Sequence, residues 1–322
     1  METPTMETLN KQVEHGASYW PTKQPSGFSD HLPMALCAIA GLGGSEAELT
    51  RFRTSYTPTL SPLDILPTPM DDWRSGIGNA DAYPSLRAYF VQAIAQTTRE
   101  VVVKDVLPHL IESLASHAFH PLIRLGYAID FRSDDETAVA LAYLVSVHRP
   151  VPTTADPLNL RAALAAQTRS GPIDFAASGF TPRLIELIDT GNYPVGCAQN
   201  LTLCAAAALD AYRSTRDFFA LHMVTATHTA GILGGVLEER LLLPALTGAL
   251  LAAHTIVGRP PLSTGNVAPA PASLDEAHVL KYAWSCHCEY RRYGDPRYLD
   301  EIRRFRQSGL LPDWCTTDQL NG

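Results

Sequence analysis

An all-α fold, one multi-helix bundle spanning residues 1–322, is predicted by three observations on this chain. Apolar residues recur at spacings of three and four along most of its length, the period of a helix face. Runs that alternate apolar and polar, which half-buried strands need, are scarce. Helix-starting residues stand repeatedly just ahead of the periodic segments.

The elements follow in order. METPTMETLNKQVEHG is polar and lacks the apolar core of a secretion signal, so residues 1–25 are expected to be a less ordered segment and the protein cytoplasmic. FSDHLPMALCAIAGLGG reads as an apolar helix. In SEAELTRFRTSY, Ser45 and Glu48 form a capping box ahead of an amphipathic helix. Pro108 in VVVKDVLPHLIESLASHAF should kink or begin a helix. HAFHPLIRLGYAID continues as a helix, and Ser133 opens SDDETAVALAYLVSVH with acids in its first turn. NLTLCAAAALDAYRSTRDFFALHMVTATHTAGIL reads as two consecutive helices.

The apolar run GILGGVLEERLLLPALTGALLAAHTIVG is interrupted by Glu238, Glu239, Arg240 and Pro244. It predicts two buried helices rather than a membrane span, which needs about 18 uninterrupted apolar residues. In SLDEAHVLKYAWSCHCEYRRYG, Ser273 with Glu276 predicts a second capping box and Gly294 the helix end. DPRYLDEIRRFRQSG is a last amphipathic helix. The Pro- and Thr-rich segments TPTLSPLDILPTPMDDW, HRPVPTTADPLN and VGRPPLSTGNVAPAPAS separate helices as loops, and no repeat of fixed period occurs.

Composition bounds the function. With 46% hydrophobic and 18% charged residues the chain can bury a sizeable core. A net charge of -8 argues against nucleic acid as the partner, because phosphate binding needs basic patches. The six scattered cysteines are expected to be free thiols. Cys286 and Cys288 face about 200° apart on a helix, so that pair does not suit one zinc ion.

The histidines carry the functional signal. His31, His120, His222 and His278 each lie in an otherwise apolar or small-residue helical segment. A buried imidazole taken alone is most often hydrogen-bonded to a carbonyl, but four such burials are compensated together by one shared metal ion. Imidazole suits iron, copper, zinc and nickel alike. Lys281 follows His278 by three residues, on the same helix face among Val279, Leu280, Tyr282, Ala283 and Trp284. A lysine there either snorkels outward or stays inside, where desolvation favours the neutral amine. Such an amine can take up carbon dioxide as a carbamate, an anionic oxygen ligand.

Among the remaining histidines, His117 is an alternative ligand, and His228 should face away from His222. His254 and His109 read as structural, and the sequence assigns no role to His15, His148 and His287. GLGGSE at 41–46 follows a helix and lacks the downstream acid of a dinucleotide fold, and neither a nucleophile elbow nor a phosphate loop occurs.

The runs DHLPMALCAIAGLGG at 30–44, HPLIRLGYAID at 120–130, HMVT at 222–225 and DEAHVLK at 275–281 resemble, in order, those of the questin oxidase-like proteins of aromatic polyketide biosynthesis. The resemblance implies an oxygenase that uses O2 in a ring-cleaving, Baeyer–Villiger-like step on an aromatic or quinone-type small molecule. It implies a mononuclear non-haem Fe(II) held by His31, His120, His222 and His278 with a carboxylated Lys281, and for some members NADPH as an external reductant. Arg124 stands where many relatives carry a second histidine; it is expected to bind an acidic or phenolate group of the substrate or to pair with Asp130. Arg124 and Tyr127, following His120 at helical spacing, are assigned to the substrate side. Two other readings stand beside this one: a metal-independent, NADPH-linked Baeyer–Villiger-type monooxygenase, and a non-catalytic helical carrier of a hydrophobic metabolite. The oligomeric state is not encoded in any of these features.

Overall fold

Local capping chemistry sets most of the helix starts. The structure is a computed structural model that describes residues 6–262 and 267–315, without the His15 side chain. Its helices are α1 (Met6–Glu14), α2 (Leu32–Gly41), α3 (Glu46–Tyr56), α4 (Tyr83–Gln96), α5 (Arg99–Val106), α6 (His120–Asp130), α7 (Asp134–Ser146), α8 (Leu160–Arg169), α9 (Phe180–Thr190), α10 (Leu201–Thr215), α11 (Phe218–Leu233), α12 (Glu239–Ile256), α13 (Glu276–Tyr293) and α14 (Pro296–Gln307). Among the described residues the only extended pairing is three isolated bridges, Tyr19 with Pro62, Thr22 with Ser29 and Pro157 with Cys197. The fold is all-α.

Ser45 accepts from the Glu48 amide and Ser133 from the Glu136 amide, as their sequence context predicts. One expected cap is corrected. The cap of α13 is Asp275, not Ser273: its carboxylate accepts the His278 amide and also meets the His278 ring, which a serine two residues earlier cannot reach. Pro108 opens a helix as expected, though a 3₁₀ one: α5 ends at Val106, Leu107–His109 forms a 3₁₀ turn with Pro108 at its start, and further 3₁₀ turns lead to Phe119. The apolar run forms two helices as expected, the end of α11 and α12; Pro244 sits inside α12, where the carbonyl it deprives of a donor belongs to exposed Arg240. Within the segment expected to be less ordered, α1 buries Leu9 and Val13; residues 1–5 lie outside the described residues, as do 263–266 of the loop before α13.

Four helices position the site. α2 packs on α6 and α13, and α11 packs on α6 and α13, closing a ring. α7 covers α6, α10 covers α11, and α14 covers α13. The N-terminal ends of all four ring helices meet, because His31 caps α2, His120 is the first residue of α6, and His222 and His278 lie in the opening turns of α11 and α13. The histidines therefore stand at helix starts, not in mid-helix. Among the described residues no helix is long and apolar enough to cross a membrane.

Candidate metal centre

The turn into α6 is built against backbone preference. His117, Ala118 and Phe119 occupy the left-handed region with φ of 46°, 55° and 67°, although none is glycine. This run brings the His117 carbonyl to the His120 ring, whose Nδ1–H donates to it at 2.6 Å. The other rings are held by ordinary helix geometry. His222 Nδ1 donates one turn back to the Phe218 carbonyl at 2.8 Å, and His278 Nδ1 donates to the Asp275 carboxylate.

With Nδ1 protonated in these three rings, each Nε2 presents a lone pair. Those atoms converge. Nε2 of His31 lies 2.9 Å from that of His120, His120 lies 3.2 Å from His222, and His222 lies 3.2 Å from His278. The His31 and His120 rings stack with planes 3° apart. All four residues are buried, with at most 7% of their surface exposed.

Burial drives His31, His120 and His222 well below the usual imidazole range and His278 to about 4, and the positive charge of Lys281 pushes each further the same way. The rings are thus neutral at pH 7, and lone pairs that close together repel unless a cation sits among them. Two nitrogens bound at right angles to one ion, each at about 2.1 Å, stand about 3.0 Å apart, which matches these separations. His31, His120 and His278 have nitrogens all within 4.8 Å of one another. These three imidazoles fit a divalent transition metal, and His222 adjoins the group through His120 and His278 alone.

Lys281 does not snorkel. It is fully buried and Nζ has no hydrogen-bond partner among the described residues. Burial lowers its pKa to about 7, against the pull of Asp275 and Asp30. Among the described residues its amine makes no hydrogen bond, and its charge is felt by all four imidazoles.

The other sequence-assigned residues lie elsewhere. Arg124 is 2% exposed; Nε and a terminal nitrogen bond both Glu136 oxygens at 2.7 and 3.0 Å, and the remaining nitrogen reaches Asp30 at 3.4 Å. The pairing expected with Asp130 is not made, since Glu136 lies on the facing helix α7 and can present both oxygens edge-on. The guanidinium is thereby taken up by protein carboxylates. Tyr127 is buried and donates to the Lys281 carbonyl at 3.3 Å. Arg124 and Tyr127 line a small cavity of about 10 Å³ with Met34, Cys37 and Phe131, and none of the four imidazoles lines it.

His117 points to the Tyr143 hydroxyl at 3.1 Å, so it serves the centre through its carbonyl. His254 is held between Gln167 and the Pro260 carbonyl at 2.9 Å each, His148 meets Ser113, and His228 packs on Tyr127 beside Glu289. The six cysteines are unpaired. Sequence reasoning did not single out Asp275, Asp30 or Phe218, whose ring covers His222 and His278 at 4.8 and 4.7 Å between centroids. Asp275 was accessible in principle, as an acid three residues before a candidate ligand on a helix.

The comparisons with known proteins bear on this geometry. The questin oxidase-like family model matches residues 28–190, half of the chain, a stretch that includes His31 and His120. A questin oxidase of Aspergillus terreus (strain NIH 2624 / FGSC A1156) is 28% identical over 137 residues, covering 38% of this chain and 31% of that protein. The aligned region is under a third of the fungal protein's length. By the family model's match over half of its length, the chain belongs to the questin oxidase-like family.

Proposed function

We propose that this protein is an oxidoreductase, a mononuclear non-haem Fe(II) oxygenase that oxidises or cleaves a ring of an aromatic or quinone-type polyketide with O2. The observation that carries the reading is the convergence of four imidazole Nε2 atoms around a buried lysine amine that has no hydrogen-bond partner among the described residues. That the Aspergillus relative is a questin oxidase supports the reaction class.

In this reading His31, His120, His222 and His278 hold the ion and Lys281 completes the set. The neutral Lys281 amine attacks carbon dioxide: the N–C bond forms, the electron pair of one C=O bond moves to oxygen, and the amine proton leaves to solvent. The resulting carbamate supplies the negative charge that four neutral imidazoles lack. Bound ferrous iron supplies the one-electron chemistry that lets O2 react with a closed-shell ring. The protein's own part is to fix the rings through the His117 and Phe218 carbonyls and the Asp275 carboxylate, and to keep water from the buried nitrogens.

Elemental analysis of protein purified without oxygen tests the reading. About one iron per chain, with substrate-dependent O2 uptake that stops on chelation and returns with Fe(II), supports it. An active protein that ignores chelators overturns the metal role and favours the metal-independent monooxygenase. Tight binding of aromatic compounds without turnover favours the carrier.

A further inference from the structure

The imidazole cluster lies one side chain beneath the surface. On its outer side stand Phe218, 37% exposed, and Asp275, whose carboxylate is 56% exposed although it binds a His278 ring that is only 3% exposed. The third element there is the loop at 21–30, which runs directly into His31. Its ends are tied together: Lys23 N–H donates to the Phe28 carbonyl at 2.7 Å, and Asp30 N–H to the Pro21 carbonyl at 2.9 Å.

Lys23 is the informative residue of that loop. Its ammonium lies 4.1 Å over the Tyr56 ring, and the Tyr56 hydroxyl in turn accepts the His31 backbone N–H at 3.0 Å. Among the described residues Lys23 forms no ion pair, yet it is close enough to sense Asp30 and Asp275 and to be sensed by His278. A half-buried cation steadied by an aromatic face, beside the centre and without a carboxylate of its own, has its charge free for something arriving from solvent.

We infer that the approach to the centre runs between the loop at 21–30 and the start of α11, and that Lys23 there receives an anionic oxygen, phenolate or carboxylate, of an aromatic molecule whose ring lies against Phe218. This names the substrate class for the oxygenase proposed above and rests on that reading for its catalytic meaning. The site is an electrostatic filter: a neutral ring gains only the Phe218 contact, whereas an aromatic anion gains both.

Two probes of equal shape and different charge, 2-naphthoate and 2-naphthamide, test it by tryptophan fluorescence titration of protein purified without oxygen. Wild type should bind the naphthoate about tenfold more tightly, the size of one charge-assisted hydrogen bond. Lys23→Gln should remove that preference while leaving naphthamide affinity within about twofold, and Lys23→Arg should keep it. Phe218→Ala should weaken both probes by about tenfold. Equal affinities in wild type, a preference that survives Lys23→Gln, or failure of both probes to bind overturns the inference; a surviving preference would place the carboxylate elsewhere, as on a metal. Iron content measured on the same samples separates the two claims, since a protein that stays metal-free when offered Fe(II) and keeps the Lys23-dependent preference overturns the iron role and upholds the anion site.

Discussion

Gly126 of α6 lies so close to Thr229 of α11 that a Cβ on the glycine would stand 2.2 Å from the Thr229 Cγ2. α6 carries His120 and α11 carries His222, so this contact sets how near two of the four imidazoles come. Gly126→Ala should push the helices apart at an overpacking cost of about 1–3 kcal/mol. Iron occupancy should fall with it. Urea denaturation and metal analysis on one preparation check both, and full occupancy in a destabilised variant would show that the two effects are separate.

Asp275 holds the His278 ring while capping α13. Asp275→Asn keeps the cap but loses the charge, and metal affinity should drop about 10- to 100-fold. Competition with a chelator of known strength measures this. An unchanged affinity would mean that the Asp275 pairing is incidental to the centre.

Lys281 is expected to bear a carbamate. In protein equilibrated with 13C-bicarbonate and a diamagnetic divalent ion, wild type should give a carbamate carbon resonance that Lys281→Arg lacks, because a guanidinium does not add carbon dioxide. Lys281→Glu should retain part of the metal with little turnover. A fully active Lys281→Arg would remove both the carbamate and the ligand role.

How much of this was legible in the sequence depends on how local each determinant is. The caps at Ser45 and Ser133 are resolved within four residues, and both were readable. SLDEAHV satisfies two capping patterns at once, and the choice fell to Asp275 through a side-chain contact with His278 that a capping rule does not weigh. The convergence of the histidines was suggested by their apolar surroundings and by family motifs. Their placement at helix starts depends on how α2, α6, α11 and α13 meet, which no single segment encodes. Arg124 shows the same limit: Asp130 was the near acid, while Glu136 and Asp30 come to it across helices.

Arg124→Ala should leave Glu136 and Asp30 buried without their cation, destabilising the fold by about 3–5 kcal/mol. Chemical denaturation measures the loss. Because Asp30 adjoins His31, iron content should fall as well, which contrasts with a surface arginine that touches substrate alone.

His254 supplies a pH prediction away from the centre. Burial lowers its pKa from 6.5 to about 4, opposed by the Pro260 carbonyl. The unfolded chain therefore binds a proton that the folded chain refuses, so the stability is complete above pH 6.5 and declines as pH falls toward 4. One such group contributes a slope of about 1.4 kcal/mol per pH unit. Other buried imidazoles add to the slope, and His254→Gln should reduce it by one proton's share. Denaturation midpoints collected between pH 7 and 4 decide this, and an identical slope in the variant would refute it.

The left-handed run at His117, Ala118 and Phe119 constrains how this protein can be engineered. Each such residue costs on the order of 1–3 kcal/mol unless the surroundings compensate it, so a search for heat-resistant variants should repeatedly select glycine at Ala118 or Phe119. Relaxing that turn also frees the His117 carbonyl that steers the His120 ring. Hardier variants obtained at these positions should therefore hold their metal less firmly, making this turn a place where heat tolerance and metal retention are selected against one another.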